Sequence, residues 1–526
     1  MLATSLIASA LLAAPAFAAT AEQWRNRTIY QLVVDRFATP DGSSPACDTS
    51  NRVYCGGTWN GVVSKLDYIQ DMGFDAVWIS PVVANIEGTT AYGEAFHGYW
   101  TQDINALNSH FGTASDLQAL AAALHKRNMY LMVDIVVNHV ASPKNPPDYT
   151  IFTPFDQASQ FHTEVFIQQA DYTTNQTAVE QGWLGDTNLP LPDIDTEDPN
   201  IVSTYNTWVG QLVSNYSVDG LRIDTVKHIR QDFWPDFAKS AGVYTVGEVE
   251  DNRTDYLAGY TKVIDSVLDY STYYSVFPAF SSTSGNLSTV SQVVQEAQSS
   301  FNNGEFFVGS FIENHDQPRF QSITTDQALV MNAMSWPFIQ DGIPILYYGQ
   351  EQGYTGSNDP ANREALWLSG YDTNKTLVKH VTKLNAARRA AAAADSTYLT
   401  TGAKFLIAAP NTLAVQKPGV LALLANGGNS STPQWTVPNA GFKANEVLMD
   451  IVACTTVTAD GNGGVTVTGS GGMPLILMPT AVGSPVCSST ASSTPASSQK
   501  NAASVLATQI FGVTLAAILA AAVTVM

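Results

Sequence analysis

The sequence predicts a (β/α)8 TIM barrel with an inserted subdomain after its third strand and a C-terminal antiparallel β-sandwich. Short apolar segments alternate with amphipathic stretches over residues 29–400, one connection between two of these segments is unusually long, and the pattern changes after residue 400. Strands that alternate with helices are typical of a parallel sheet covered by helices, and eight such units are typical of a barrel. Spacing alone leaves an open, doubly wound sheet as the alternative fold.

Eight segments have the apolar, β-branched composition of buried strands. They lie at Ile29–Phe37, Ala76–Pro81, Tyr130–His139, Gly220–Lys227, Val243–Val249, Ser266–Tyr270, Phe307–Asn314 and Ile343–Gly349. Amphipathic helices are expected between them, as at Ala114–Arg127 and Ile201–Tyr216, and the last barrel helix is expected at Leu377–Ala394. The barrel is therefore assigned to residues 19–139 and 197–399.

The connection between the third and fourth strands is too long for a simple loop. Its first part, residues 140–196, is rich in Pro, Asp, Asn and aromatic residues, and a connection of this length is expected to fold as an inserted subdomain. After residue 400, short alternating runs are broken by Gly, Asn and Pro, as at Lys404–Ala408, Gly419–Ala425 and Met473–Met478. This pattern predicts a β-sandwich over residues 400–487.

Both ends of the chain have the composition of targeting signals. Residues 1–18 contain an apolar run before a small-residue cleavage site, which is typical of a signal peptide; a buried helix is the alternative. Residues 488–503 are rich in Ser, Thr and Ala, as in a flexible stalk, and the apolar residues 504–526 are typical of a GPI-anchor signal; a membrane-spanning tail is the alternative. We therefore expect a secreted protein that a GPI anchor holds at the plasma membrane or cell wall.

The chain is strongly acidic, with a formal net charge of −21. An acidic surface repels nucleic acid, so nucleic-acid partners are excluded and a neutral substrate is favoured. The four cysteines, Cys47, Cys55, Cys454 and Cys487, suggest two disulfides in a secreted protein. Three pairings are possible, and the local pairs Cys47–Cys55 and Cys454–Cys487 are favoured because each lies within one region. We expect a monomer.

Acidic side chains follow three of the predicted strands. Arg222 and Asp224 lie two residues apart on the fourth strand and so share a face, where the guanidinium keeps the carboxylate ionised. Glu248 follows the fifth strand and Asp316 the seventh. Because the carboxyl ends of barrel strands meet at one mouth, the three carboxylates are expected to converge there. A purely structural Arg–Asp pair is the alternative for an isolated Arg-x-Asp sequence.

Two carboxylates that flank a bond are the requirement of glycoside hydrolysis. Asp224, kept ionised by Arg222, is the candidate nucleophile, and Glu248, which lies among other acids, is the candidate proton donor. The sequence has no phosphate-binding loop and no dinucleotide-binding glycine pattern, which favours acid–base chemistry on a neutral substrate. Aromatic residues near the barrel mouth, such as Tyr99 and Trp100, are candidates for stacking on sugar rings; ordinary packing is the alternative.

Several ordered motifs point to one family. They are GGTWNG (56–61), HGYW (97–100), DIVVNH (134–139), LPDID (191–195), GLRIDTVKH (220–228), GEVE (247–250), FIENHD (311–316) and NDPANRE (358–364). In these segments the sequence resembles the fungal secreted α-amylases of glycoside hydrolase family 13, and the resemblance runs from Trp24 to Cys487. The C-terminal tail makes the chain similar to the GPI-anchored, amylase-like proteins of filamentous fungi, which are linked to cell-wall α-glucan.

The resemblance implies a retaining hydrolase of α-1,4-glucan with a defined set of site residues. Asp224 matches the nucleophile, Glu248 the general acid/base and Asp316 the carboxylate that binds the distorted sugar. The residues implied in substrate binding are His97, Tyr99, Trp100, His139, Arg222, Lys227, His228, His315, Asp359 and Arg363. The resemblance also implies a structural Ca²⁺ between the inserted subdomain and the barrel, with ligands that match the side chains of Asn138 and Asp193 and the backbone carbonyls of Glu180 and His228.

Two other functions stay open at this stage. The first is a 4-α-glucanotransferase that acts on maltooligosaccharides in cell-wall α-glucan metabolism. Some anchored proteins of this group act mainly as transferases, and the segment Glu250–Thr254 is more charged than the usual acceptor side of the family. The second is a non-catalytic glucan-binding wall protein, and the presence of all three carboxylates argues against it.

Overall fold

Eight parallel strands close into a barrel at the centre of the molecule. In chain order they are β1 (Ile29–Leu32), β2 (Ala76–Ile79), β3 (Tyr130–Ile135), β4 (Gly220–Ile223), β5 (Tyr244–Gly247), β6 (Ser266–Val267), β7 (Gly309–Ser310) and β8 (Ile343–Tyr347). Their order in the sheet is β6-β5-β4-β3-β2-β1-β8-β7, and a parallel bridge between Leu268 and Gly309 joins the two ends of the sheet. The predicted barrel is therefore confirmed, and the open sheet is excluded.

The computed structural model of the protein describes residues 19–489. The predicted signal peptide (1–18) and anchor signal (504–526) lie outside these residues, as does nearly all of the predicted stalk (488–503). Within residues 19–489, none of the helices combines the length and the hydropathy needed to cross a bilayer.

The barrel strands are short and apolar because both faces of the sheet are covered. Each strand ends earlier than the sequence predicts; β4, for example, ends at Ile223 rather than at Lys227. The polar residues that follow leave the hydrogen-bonded ladder and turn over the carboxyl ends of the strands. This early ending brings the predicted acidic residues to the barrel mouth.

Helices surround the barrel, others lie in the inserted subdomain and after the last strand of the C-terminal domain, and several carry side-chain caps at their first turns. The helices lie at Ala21–Trp24, Val34–Phe37, Trp59–Ser64, Leu66–Asp71, Ala114–Lys126, Asp171–Thr174, Gln176–Gln181, Pro199–Tyr216, Trp234–Ala241, Thr254–Tyr260, Tyr270–Phe280, Ser288–Ser300, Gln327–Ile339, Thr376–Ala394 and Thr480–Ser489. Thr113 accepts a hydrogen bond from the N–H of Asp116, and Asp198 accepts one from the N–H of Asn200. The three helices that the sequence predicts are confirmed within a few residues.

The long connection after β3 forms the inserted subdomain, which contains an antiparallel ribbon of Leu184–Asp186 and Leu189–Leu191. The subdomain returns to the barrel at a bridge between His139 and Asp193, so its last segment lies beside the end of β3. A second ribbon follows β2 and was not predicted. It pairs Val83–Asn85 with Thr101–Leu107, and the HGYW segment (97–100) lies directly before its second strand.

The C-terminal domain has two antiparallel sheets. The larger contains Lys404–Ala408, Thr412–Lys417, Val420–Ala425, Val447–Asp450, Thr455–Thr458 and Leu475–Pro479, and the smaller pairs Gln434–Val437 with Val465–Thr468. Apolar side chains of both sheets, such as Leu423 and Trp435, share one buried cluster, which confirms the predicted sandwich. Both favoured local disulfides, Cys47–Cys55 and Cys454–Cys487, are formed.

A buried ion pair joins the C-terminal domain to the barrel. Nζ of Lys417 lies 2.5 Å from Oδ1 of Asp341, which lies two residues before β8. The same carboxylate accepts hydrogen bonds from the N–H of Ala403, at 2.9 Å, and from Nε2 of Gln298, at 2.8 Å. Because both charged side chains are almost fully buried, removal of either one would leave the other as an unpaired buried charge and would destabilise the fold.

Candidate active site

A buried arginine holds three carboxylates together at the carboxyl ends of β3, β4 and β5. Arg222, on β4, is 1% exposed. Its Nη1 lies 2.7 Å from Oδ1 of Asp224 and 2.9 Å from Oδ1 of Asp134, and its Nη2 lies 2.9 Å from Oε2 of Glu248. The expected pairing of Arg222 with Asp224 is present, but the guanidinium binds two further acids. Arg222 therefore lies beneath the cleft and holds carboxylates, whereas the sequence assigned it to substrate binding.

Asp134 is an acid of the site that the sequence analysis did not single out. It pairs with Arg222 in the register of β3 and β4. Its Oδ2 accepts hydrogen bonds from Oη of Tyr99, at 2.6 Å, and from Nε1 of Trp78, at 3.0 Å. Burial raises the pKa of Asp134 to about 6, against the lowering effect of Arg222. This carboxylate fixes the ring of Tyr99 beside the catalytic candidates.

Asp224 and Glu248 lie just after β4 and β5 and reach the surface of the cleft. Burial raises the pKa of Asp224, as do the charges of Glu248 and Asp134, whereas contact with Arg222 lowers it. Thr225 has a φ of 51°, in the left-handed region that β-branched residues rarely adopt. This strained turn directs the N–H of Thr225 to Oε2 of Glu248, at 3.0 Å. The backbone after β4 thus helps to fix the second carboxylate.

Three buried histidines line the cleft as neutral rings. Burial lowers the pKa of His97 and His315, and it lowers the pKa of His139 to about 4. The side-chain amide of Gln31 donates to Nδ1 of His315, at 2.9 Å, which leaves Nε2 of His315 to donate to Oδ2 of Asp316, at 3.1 Å. Neutral imidazoles add no charge to the cleft, and the two hydrogen bonds of His315 fix both its own ring and the carboxylate of Asp316.

Asp316, the third predicted carboxylate, belongs to a chain of ion pairs at one end of the cleft. Its Oδ1 lies 3.3 Å from Nη2 of Arg363, and Nη1 of Arg363 lies 3.1 Å from Oδ1 of Asp359. Asp359 also pairs with Arg52, at 2.9 Å. Burial raises the pKa of Asp316, and the charges of Arg363 and Arg222 lower it. The alternating charges hold the polar groups of this end in place.

Two adjoining cavities occupy the barrel mouth. The first has a volume of about 430 Å³, and the predicted residues that line it are His97, Tyr99, Trp100, His139, Asp224, Glu248, His315, Asp316, Asp359 and Arg363. The second has a volume of about 630 Å³ and is lined by Glu248, Lys227 and His228, among others. Glu248 and Thr225 line both cavities, so the two form one continuous cleft. Apart from Arg222, every residue predicted to act on or bind substrate lines this cleft.

The residues that match calcium ligands lie together where the inserted subdomain meets the barrel. Oδ1 of Asn138 and Oδ1 of Asp193 are buried, and neither has a hydrogen-bond partner among residues 19–489. The helix that contains Glu180 packs on the turn that contains His228, and the ring of His228 bonds to a carbonyl of that helix. Buried oxygens without partners cost free energy, and a set of oxygen donors fits calcium. The residues present therefore fit the implied ion.

A second group of possible metal ligands lies next to this position. Nε2 of His162 lies 2.8 Å from Oε2 of Glu197 and 3.5 Å from Oδ1 of Asp195, and its Nδ1 lies 2.6 Å from Oδ2 of Asp193. The ligand atoms of His162, Asp195 and Glu197 are close enough to hold a metal ion. The sequence does not reveal this group, because more than thirty residues separate His162 from Asp195 and Glu197.

Two protein families match consecutive parts of the chain. Residues 31–412 match the family described as "Alpha amylase, catalytic domain", and residues 405–495 match "Alpha-amylase, domain C". The chain belongs to the α-amylase family.

Curated fungal α-amylases are similar to this α-amylase family member over most of its length. The α-amylase of Saccharomycopsis fibuligera is 44% identical over 471 residues, which cover 89% of this chain and 94% of that protein. α-Amylase 1 of Lipomyces kononenkoae is 47% identical over 479 residues, which cover 89% of this chain and 76% of that protein. The solved structure of an α-amylase from Malbranchea cinnamomea matches with a TM-score of 0.86 and 43% identity, covering 88% of this chain and 98% of that one.

In this α-amylase family member, the structure adds residues that the sequence did not assign to the site. Asp134 lies within a recognised motif, and a charged residue in an otherwise apolar, buried strand is a signal that could have found it. Gln31 and Arg52 meet their partners at sequence separations of 284 and 307 residues. No local pattern marks such contacts, so these two residues could be found only from the fold.

Proposed function

We propose that this protein is a retaining α-amylase that hydrolyses internal α-1,4-glucosidic bonds in starch-like glucans and maltooligosaccharides. One observation carries the proposal: Asp224 and Glu248 contact the two terminal nitrogens of a single guanidinium, that of Arg222. Carboxylates held in this way lie close together, which favours the separation of about 5–5.5 Å of retaining glycosidases over the separation of about 6.5–9.5 Å of inverting ones. Membership of the α-amylase family supports the same activity.

The two carboxylates act in turn. Asp224 attacks the anomeric carbon while Glu248 gives its proton to the departing glycosidic oxygen, so a glycosyl–Asp224 ester forms and a shortened sugar chain leaves. Glu248, now a carboxylate, takes a proton from a water molecule, whose oxygen attacks the same carbon and breaks the ester. The anomeric carbon is inverted twice, so its configuration is retained. Arg222 contacts both side chains and offsets the negative charge, which lies on Asp224 before the first step and on Glu248 after it.

The remaining groups of the smaller cavity hold the sugar that bonds to Asp224. Asp316 is fixed by His315 and Arg363 and is placed to accept hydrogen bonds from the hydroxyls of a distorted sugar. The neutral ring of His139 lines the same cavity, where its Nε2 lies 3.3 Å from the backbone carbonyl of Tyr99, so the ring is held beside the sugar. Tyr99 lines the same cavity, and its ring lies parallel to the rings of His315, at a centroid distance of 5.0 Å, and of His97, at 5.8 Å, so an aromatic surface is fixed beside the sugar.

The anomeric form of the first products tests this proposal. Purified protein is incubated with maltopentaose, and the products are followed by proton NMR before mutarotation. We expect the α-anomer to appear first, and we expect Glu248→Gln to release almost none. First products in the β form would exclude a retaining mechanism. A correctly folded protein that cleaves no α-glucan would exclude the enzyme and favour the glucan-binding wall protein.

We further propose that the ion held by Asn138, Asp193 and the backbone carbonyls of Glu180 and His228 is Ca²⁺. The two buried, unpartnered oxygens of Asn138 and Asp193 support this choice. When bound, the ion supplies positive charge that ties the inserted subdomain to the barrel. Because His139 directly follows Asn138, the same ligands also position one ring of the cleft.

Removal of calcium is expected to lower the melting temperature. An ion that binds only the folded state stabilises it by about 4 kcal/mol at a concentration 1,000 times its Kd. The melting temperature is measured after treatment with chelator and again with added Ca²⁺, for the wild type, Asp193→Asn and Asp195→Asn. Only Asp193→Asn is expected to remove the difference in melting temperature between chelator-treated and calcium-loaded protein. If Asp195→Asn alone removes it, the ion is held by the group around His162, and equal melting temperatures of metal-free and calcium-loaded wild type would contradict the proposal.

We also propose that the protein is secreted and held at the cell surface by a GPI anchor. The composition of residues 1–18 and 488–526 supports this location. Release of the protein from cell membranes by a phosphatidylinositol-specific phospholipase tests the anchor. Membrane-bound protein that still contains Met526 would instead indicate a spanning tail.

A further inference from the structure

The two parts of the cleft differ in their relation to the catalytic carboxylates. The smaller cavity is lined by both Asp224 and Glu248, whereas the larger one is lined by Glu248 without Asp224. The sugar that bonds to Asp224 therefore lies in the smaller cavity, and the group that takes its proton from Glu248 leaves into the larger one. The larger cavity is thus the acceptor side, from which water or a second sugar attacks the glycosyl–enzyme.

A carboxylate that the mechanism does not use lies where the two cavities meet. Glu250 lines both of them. Its Oε1 accepts hydrogen bonds from Oη of Tyr274 and from Nε2 of Gln317, each at 2.9 Å. Its backbone carbonyl accepts a hydrogen bond from Nζ of Lys227, at 2.5 Å. These partners follow β6, β7 and β4, so three separate segments fix one residue.

The second oxygen of this carboxylate is left free for a ligand. Among residues 19–489, no group donates a hydrogen bond to Oε2 of Glu250. The nearby cations have other partners: Lys227 bonds to the carbonyl of Glu250, and Arg253 pairs with Asp251, at 2.7 Å. Glu250 therefore presents a negatively charged oxygen, held in a defined position, to the acceptor side of the cleft.

An oxygen of this kind is suited to bind a sugar hydroxyl. Hydrogen bonds to an ionised acceptor are roughly twice as strong as bonds between neutral groups. A side chain that is already fixed loses little conformational entropy when a ligand binds. A sugar also fills the cavity with its ring while its hydroxyls reach the carboxylate, which a single water molecule cannot do.

We infer that Glu250 is a specificity-determining residue that holds a glucosyl unit of an α-glucan on the acceptor side. The inference rests on the proposed retaining mechanism. In the transfer reaction, the bond between the anomeric carbon and Asp224 breaks, a hydroxyl oxygen of the acceptor bonds to that carbon, and the hydroxyl proton passes to Glu248. Glu250 exchanges no proton with the substrate. It increases the fraction of glycosyl–enzyme that a sugar, rather than water, attacks.

Partitioning of the glycosyl–enzyme between water and an added sugar tests this role. The purified full chain reacts with α-maltosyl fluoride, whose small leaving group keeps the acceptor side empty, at increasing concentrations of maltotriose. Fluoride release measures total turnover, and chromatography of the products separates transfer from hydrolysis. We expect the ratio of transfer to hydrolysis at a given maltotriose concentration to fall about tenfold in Glu250→Gln, through loss of a charge-assisted hydrogen bond. Glu296→Gln, which removes an exposed charge from the helix Ser288–Ser300, is the matched control and is expected to keep the wild-type ratio.

The outcomes distinguish this inference from the proposed function. A ratio within about twofold of wild type in folded Glu250→Gln overturns the inference, because a lost charge-assisted bond is worth more than that. A wild-type protein that releases fluoride but forms no transfer product also overturns the inference. A wild type that releases fluoride no faster than Asp224→Asn overturns the proposed function as well. If Glu250→Gln fails to fold, Tyr274→Phe, which removes one of the two groups that fix Oε1, is expected to lower the ratio about threefold, and an unchanged ratio overturns the inference.

Discussion

Replacement of Asp224 with asparagine is expected to lower the rate of maltopentaose hydrolysis by about four orders of magnitude or more, because an amide cannot form the glycosyl ester. The fold is expected to persist. Asparagine has nearly the same volume, and its amide oxygen can still accept a hydrogen bond from Arg222. After the substitution Arg222 still faces two acids, Asp134 and Glu248, so the guanidinium does not become an unpaired buried charge.

Initial rates and the melting temperature, measured together, check this expectation. Asp232→Asn is a suitable control, because Asp232 pairs with Arg230 at an exposed position, at 2.6 Å. The control is expected to keep the wild-type rate. A cleanly folded Asp224→Asn protein that retains more than about 1% of wild-type activity would contradict the assignment of the nucleophile.

Arg222→Leu is expected to have the largest effect on stability, lowering the free energy of unfolding by about 3–5 kcal/mol at neutral pH. The substitution leaves Asp134, Asp224 and Glu248 crowded at the barrel mouth without the cation that they share. The folded-state pKa values of Asp134 and Asp224, which burial already raises, would rise further in the variant. Folded variant then binds protons as the pH falls, so its loss of stability is expected to be largest at neutral pH and to shrink toward acid pH.

Denaturant unfolding at two pH values measures this effect. The matched control is Arg127→Leu, which breaks an exposed pair with Asp67, at 2.8 Å. Exposed ion pairs contribute little, so the control is expected to lose less than about 1 kcal/mol at either pH. Equal losses in the two variants would show that Arg222 does not compensate the buried acids.

The barrel could be predicted from the sequence because its strands are buried on both faces and therefore form nearly continuous apolar runs. The ends of the strands are harder to predict. The polar residues after β4 continue the pattern of the strand in sequence, but they leave the hydrogen-bonded ladder after Ile223. The ribbon of Val83–Asn85 and Thr101–Leu107 was missed because one of its strands has only three residues and the register is irregular.

The site could be predicted in part, for a related reason. Asp224 and Glu248 lie at strand ends in recognisable motifs, and the barrel topology brings strand ends together. The sequence did not show that Arg222 serves both of them and Asp134 as well. That arrangement depends on the register between neighbouring strands, which sets Asp134 opposite Arg222. The contact between Glu250 and Gln317 spans 67 residues of sequence and likewise follows only from the closed barrel.

The ion pair between Lys417 and Asp341 has a consequence for how this protein can be divided or recombined. The charge of Asp341 lies at the entrance to β8, and its counter-charge belongs to a strand of the C-terminal sandwich. Without that sandwich, the carboxylate of Asp341 would lose its cation. Within residues 19–489, no barrel residue forms an ion pair with it. We therefore expect the barrel to be less stable when it is separated from the sandwich. A chimaera with the sandwich of another protein keeps its barrel intact only if a cation is supplied at the position of Lys417.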